Sequence, residues 1–287
     1  MSGRLERLLG AAPAHPRRIV CLTEETTEIL YRLGAGDLVV GVSGFTVRPP
    51  EARRKPKVSS FLDARFDRIL ALEPDLVLGF SDLQADIARE LGKRGVPVHL
   101  FNQRSIAEIL QAVRTVGALV GLPERADALA EELVAGLRAV AAAAERLPRR
   151  PRVFFEEWHE PLIAGIRWVS ELVELAGGDD VCVESRSQPG AKGRIYEPAE
   201  IARRDPEVVI ASWCGRKASR ARIAARPGWT NVRAVRDDQL YEVKSSLILQ
   251  PGPAALGDGV RALHAIVGAV ARGEQLPSPR AGELRRA

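Results

Sequence analysis

Short apolar runs alternate along this chain with longer stretches in which apolar residues recur every three or four positions. "RRIVCL" at residues 17–22 gives way to "TEETTEILYRLGAG", and "PRVFFE" at 151–156 gives way to "EWHEPLIAGIRWVSELVELAGG". Each run reads as a buried strand. Each following stretch reads as a helical pattern that stops at glycine, the residue best suited to a left-handed cap. Strands are therefore expected over residues 18–22, 38–42, 75–79 and 97–101 in the first half, and over 152–156, 180–183, 207–212 and 239–243 in the second. Such alternation predicts an α/β fold with central, mostly parallel sheets flanked by helices.

The halves share an order of elements. "ILALEPDLVLGFSD" (69–82) and "IARRDPEVVIASWCG" (201–215) each run from a short helix through an acid–proline pair into a strand and a turn. Two similar lobes are expected, at residues 16–122 and 151–273. Between them, "PERADALAEELVAGLRAVAAAAERL" (123–147) sets Leu129, Leu133, Leu137 and Ala141 on one helical face. Pro123 suits the start of a helix and Pro148 its end. One long spine helix within residues 123–150, roughly 35–40 Å at 1.5 Å per residue, is expected to join the lobes. The tails, residues 1–15 and 274–287, are short on apolar periodicity and are expected to be loose.

Composition narrows the function. The chain has 287 residues and a net charge of +5. Its arginines are scattered among acids, and no basic stripe with interleaved aromatics argues for nucleic acid. The three cysteines, Cys21, Cys182 and Cys214, form no C-x-x-C, so neither a disulfide framework nor a structural zinc site is expected. The first twenty residues lack the apolar segment of a signal peptide, and no apolar run reaches the ~18 residues of a membrane span. The expectation is a soluble chain with no visible export signal.

In open α/β sheets ligands sit beyond the carboxyl ends of the strands. Aromatic residues are only 5% of the chain, yet Phe45, Phe80, Trp158 and Trp213 fall at expected strand ends. Aromatic faces beside a few polar groups suit a flat, largely apolar ligand. No G-x-S-x-G, H-E-x-x-H, Walker A or G-x-G-x-x-G motif competes. Glu156, Glu157, His159 and Cys214 are the one set that offers an enzymatic alternative, a metal-assisted hydrolase or a site that modifies its bound ligand. His99 and His264 read as structural, and Glu24, Glu25 and Glu28 read as acids favoured by a helix start.

"RIVCLTEETTEILYRLGAGDLVVGVS", "VSSFLDARFDRILALEPDLVLGFSD", "ELGKRGVPVHLF" and "VSELVELAGGDDV" resemble the helical-backbone (class III) substrate-binding proteins of ABC importers for cobalamin, siderophores and haem. The resemblance spans about residues 16–273 and is strongest to the cobalamin binders. It implies a non-catalytic protein whose lobes hold a corrinoid in a cleft, with no cofactor beyond that ligand and an ABC permease as partner. Phe45, Phe61, Phe80 and Trp158 match positions that hold the corrin ring, and Trp168 and Trp213 are expected to extend that wall. Glu157 and His159 are expected to hydrogen-bond ligand amides, and a cobalt–His159 bond is a further option. Asp67 matches one transporter-docking acid. The second docking position is Ala199, flanked by Glu197 and Glu200. The family implies a periplasmic location; the missing export signal leaves a cytoplasmic one open. Ferric siderophore binding through Arg167, Arg186 or Arg194, and haem binding through Tyr31 or His159, are the rival ligand readings.

Overall fold

Branched apolar residues buried on both faces make the strands of the first sheet. The computed structural model describes residues 14–276. β1 (Ile19–Cys21), β2 (Val39–Ser43), β3 (Lys57–Ser59), β4 (Leu76–Phe80) and β5 (Val98–Phe101) form one sheet in the order β3-β2-β1-β4-β5. All its pairings are parallel, as expected for strands covered on both sides. Helices α1 (Glu24–Arg32), α2 (Phe66–Ala71) and α3 (Ala85–Lys93) connect them. Val20, Leu22, Val58, Ile69, Val77, Ile87 and Leu91 pack as one core cluster.

Two helices follow, α4 (Ile106–Leu119) and α5 (Pro123–Ala144). The chain divides into two compact units. The first holds the described residues up to Asn102 together with Ala112–Leu129, and the second holds Gln103–Gln111 and the described residues from Ala130 onward. Both α4 and α5 therefore have residues in both units, where the sequence pattern suggested a single linking helix. The start of α4 belongs to the second unit because Gln103 Nε2 donates to the Pro251 carbonyl at 3.0 Å and the Ile106 N–H to Glu171 at 2.8 Å.

The second sheet is built on β6 (Arg152–His159), with β7 (Leu162–Ala164), β8 (Asp179–Asp180), β9 (Val208–Ala211) and β10 (Leu240–Glu242). The order is β10-β9-β6-β7, with β8 beside the start of β6. β8, β9 and β10 run parallel and β7 antiparallel. Helices α6 (Arg167–Leu175), α7 (Pro198–Arg204), α8 (Arg220–Ala224), α9 (Arg233–Arg236), α10 (Ser245–Ile248) and α11 (Val260–Ala271) complete the unit. Phe154, Val209, Ala211, Trp213, Ile223, Trp229 and Leu240 form its core cluster on one sheet face.

Three expectations change. The helical pattern after residue 156 begins only at Arg167; before it, β6 and β7 form a hairpin closed by Glu160 and a cis Pro161. The strand expected at 180–183 shrinks to Asp179–Asp180, and Val183 opens a 3-10 turn. Residues 274–276 are tied down, with the Glu274 N–H on the Ala269 carbonyl at 2.9 Å and the Leu276 N–H on the Tyr241 hydroxyl at 3.3 Å. Of the rest of the two expected loose tails, residues 14 and 15 form a bend, and residues 1–13 and 277–287 lie outside the described residues.

Candidate functional site

In the first unit the carboxyl ends of β1, β2, β3 and β4 carry an apolar rim. Phe45, Leu62 and Leu83 are its exposed large apolar side chains, at 51%, 62% and 59% exposure. Leu62 and Leu83 escaped the sequence reading, although an aliphatic residue in an otherwise polar strand-end loop was a readable signal. Phe61 is half-buried, and its carbonyl accepts from Gln84 Nε2 at 2.9 Å. Gln84 Oε1 in turn accepts the Phe80 N–H at 3.0 Å, so one buried amide joins the loops after β3 and β4. Phe80 itself is 6% exposed and lies behind the rim.

Beside this rim stand three acids at the start of α1, which the sequence reading gave only a dipole role. Glu25 and Glu28 are buried and Glu24 is half-buried. Burial pushes Glu24 up to about 8, assisted by the neighbouring Glu25 charge, and pushes Glu25 up to about 7 against a hydrogen bond from Thr23. The Thr23 hydroxyl donates to Glu25 Oε1 at 2.5 Å, and Arg48 pairs with Glu28 at 3.2 Å. Glu25 Oε2 and Thr46 Oγ1 are buried with no hydrogen-bond partner among the described residues. Tyr31, the alternative haem ligand, sits in the last turn of α1, which returns the chain from the carboxyl end of β1 towards the amino end of β2.

In the second unit the end of β6 carries the "EEWHE" cluster. Glu156 is fully buried, accepts the Trp213 indole N–H at 2.9 Å and both Nη atoms of Arg226 at 2.7 Å. Glu157 is the extra residue of a bulge, since Glu156 pairs with Ala164 and Trp158 with Ile163. It holds Arg194 through both oxygens, at 2.6 and 3.0 Å, and accepts the Ile166 N–H at 3.1 Å. Glu157, expected to bond a ligand amide, is thus committed to a buried arginine. Arg194, offered as a siderophore contact, is equally engaged and only 2% exposed.

Beyond these pairs the aromatic side chains emerge. Trp158 is half-buried, with its N–H on the Glu160 carbonyl at 2.9 Å and the Arg216 guanidinium 5.5 Å from its ring centroid. His159 meets Trp213 edge-to-face at 4.6 Å, and its Nε2 lies 3.3 Å from Arg222 Nη1. Trp213 is 5% exposed, so it backs His159 rather than offering a free face. Trp168 is apart from this group: it is 2% exposed and donates to the Ile248 carbonyl at 2.9 Å, a core contact in the first turn of α6.

Glu156, Glu157, His159 and Cys214 do not converge as a metal site, because both glutamates are held by arginines; among the described residues no group of three His, Cys, Asp or Glu side chains is placed to hold a metal. Arg167 pairs with Glu171 and Arg186 with Glu174. Arg186 lines an open cavity of about 660 Å³ with Arg150, Glu171, Glu174 and Asp179. It lies at the amino ends of β6 and β8, away from the aromatic group, and its charges largely neutralise one another. Of the docking acids, Asp67 is exposed in the first turn of α2, Glu197 is exposed before α7, and Glu200 is paired with Arg204 at 2.6 Å. No helix among the described residues is long and apolar enough to cross a membrane.

The periplasmic binding protein family matches residues 19–247. An uncharacterized ABC transporter substrate-binding lipoprotein of Bacillus subtilis is 26% identical over 257 residues, covering 86% of this chain and 79% of its own. A vitamin B12-binding protein of Vibrio campbellii is 30% identical over 203 residues, 68% of this chain and 70% of its own. Among solved structures, the periplasmic vitamin B12 binding protein of Vibrio cholerae superimposes with a TM-score of 0.72 at 22% identity, covering 90% of this chain and 99% of its own. A periplasmic heme binding protein of Pseudomonas aeruginosa gives 0.78 at 22% identity, covering 92% and 96%.

Proposed function

We propose, since this chain belongs to the periplasmic binding protein family, that it is the solute-capturing component of an ABC-type uptake system and that its solute is a corrinoid. The observation that carries the ligand class is the aromatic face at the strand ends of each unit: Phe45 with its aliphatic neighbours in one, Trp158 in the other. Such faces suit a flat macrocycle, and relatives named as vitamin B12-binding proteins favour a corrin among macrocycles. Phe45, Phe61 and Trp158 contact the ligand in this reading, Phe80 and Trp213 back them, and His159 supplies a hydrogen bond. Asp67 and Glu197 are the acids open to a permease partner. Binding requires no chemistry from the side chains; their fixed orientation lowers the ordering cost of capture.

A specific observation favours a second reading. Arg216 lies over the Trp158 ring and Arg222 beside His159; both are exposed, as is Lys217 next to Arg216 in sequence, and no carboxylate pairs with the three among the described residues. That surplus suits an anionic ligand such as a ferric chelate or a haem. Titration with cyanocobalamin and hydroxocobalamin, followed by calorimetry and visible absorbance, tests the first reading. Saturable one-to-one binding is expected. Silence with both corrinoids, together with saturation by haemin or a ferric siderophore, replaces it with the second.

A further inference from the structure

The consecutive glutamates of "EEWHE" leave the end of β6 in different directions, and each ends on a different arginine. Glu156 joins the core side with Phe154 and Trp213, where Arg226, from the turn after α8, grips it with two hydrogen bonds. Glu157, the bulge residue, reaches Arg194 of the 3-10 turn Ala191–Arg194. Arg194 also donates to the Ala164 carbonyl of β7, and Glu157 also accepts from Ile166, the residue before α6. The strand end is thereby fixed to β7, α6, the 191–194 turn and the turn after α8. The next two residues are Trp158 and His159, and the Trp213 ring held by Glu156 is the one that His159 packs against.

We propose that Glu156–Arg226 and Glu157–Arg194 are positioning pairs that set the rings of Trp158, His159 and Trp213 for ligand capture, and that neither glutamate touches the ligand. Two paired carboxylates at a strand end do little for net stability, because desolvating the charges offsets most of their attraction. What they supply is direction: a bidentate carboxylate–guanidinium pair fixes both partners in a plane, which an apolar contact of equal size does not. The doubling accounts for a run of acids that packing alone does not require. This assignment rests on the ligand reading above for its binding arm only.

Two measurements test it. Of the four tryptophans, Trp168, Trp213 and Trp229 are buried, so an aqueous quencher such as acrylamide reads Trp158 in the ligand-free protein. Glu157→Gln is expected to raise the quenching constant about twofold, with Glu157→Asp partly restoring it; an unchanged constant overturns the proposal. The second is a double-mutant cycle read by cyanocobalamin titration. Glu157→Gln is expected to weaken binding about tenfold in the native background and less than twofold in Trp158→Ala. Equal losses in both backgrounds mean that Glu157 acts on the ligand directly, and no loss in either means that it acts on nothing there; both overturn the proposal. Circular dichroism checks that each variant is folded, and Arg194→Lys, which keeps the charge but loses the fork, replaces Glu157→Gln if that variant is not. A native protein that binds neither corrinoid defeats the ligand reading alone, and the quenching arm still decides this one.

Discussion

Glu25 is a carboxyl group with little to stabilise its charge. Its side chain is buried beside Glu24 and Glu28, and among the described residues the side-chain hydrogen bond to it comes from the Thr23 hydroxyl. Its ordinary value near 4.5 is raised to about 7, chiefly by burial, and that of Glu24 to about 8. The unfolded chain binds these protons less tightly than the folded one. Stability is therefore fullest below about pH 4.5 as far as these two groups are concerned, and it is lost as pH rises through 7 and 8. Denaturant titrations between pH 5 and 9 are expected to show this decline, and Glu25→Gln to flatten it while raising stability at pH 8 by about 1–3 kcal/mol. A slope unchanged in Glu25→Gln would assign the decline to other groups. The sequence placed these acids correctly at a helix start but not their burial, because "TEETTE" reads the same on a solvated helix as on one covered by the Phe45–Val47 loop. The same blindness hid the partners of Glu157: Arg194 is 37 positions away, and nothing local points from one to the other.

Helix contacts give two glycines opposite fates. Gly117 of α4 faces Ala126 of α5, and an added Cβ would lie 2.2 Å from the Ala126 methyl and 3.0 Å from the Leu122 carbonyl. Neither neighbour is a flexible chain end, so Gly117→Ala is expected to cost about 1–3 kcal/mol or more through overpacking. Gly136, inside α5, has nothing within 4 Å of its added Cβ. There Ala removes backbone entropy from the unfolded chain without a clash, and Gly136→Ala is expected to gain about 0.5–1 kcal/mol. Thermal unfolding of the two variants checks both signs at once. At this scale the sequence was most legible where the period was long and unbroken: α5 starts at the expected Pro123, and six of the eight expected strands lie within a residue or two of those formed, while β6 runs three residues further and β8 stops at Asp180. It missed β3, whose "KVS" carries a single apolar residue, and β7, whose "LIA" stands directly before a helical pattern. The β6–β7 hairpin was masked because "EWHEPLIAG" leads directly into a true helix, and its turn uses Glu-Pro rather than the Asn-Gly or Asp-Gly that announces a tight hairpin.

For the whole chain, the fold follows from alternation and the family from the segments that carry it, whereas the ligand depends on which side chains remain uncommitted once the protein has folded. In the reading proposed above, that sorting sets aside Phe80, Trp168, Trp213 and Glu157, which are buried or paired, and keeps Phe45, Phe61, Trp158 and His159 as contacts, with Leu62 and Leu83 added. A ligand that binds only the folded chain stabilises it by mass action, by about 2.7 kcal/mol at a concentration one hundred times its Kd. For a chain of this size each kcal/mol moves the melting temperature by about 2–4 °C, so saturating cyanocobalamin is expected to raise Tm by roughly 5–10 °C. Trp158→Ala removes a half-buried ring that packs on the second unit's core cluster and bonds the Glu160 carbonyl, so its ligand-free Tm is expected to fall by a few degrees, and its ligand shift is read from that lower baseline. Losing a large aromatic contact weakens binding by about 1–3 kcal/mol, which at the same ligand concentration takes away from about a third to about nine-tenths of that shift. A full shift in Trp158→Ala would move the corrin off the second unit's strand end. A native protein whose melting responds to haemin but not to cyanocobalamin would replace the corrinoid with an anionic ligand, for which the exposed Arg216 and Arg222 beside Trp158 and His159 supply the charge.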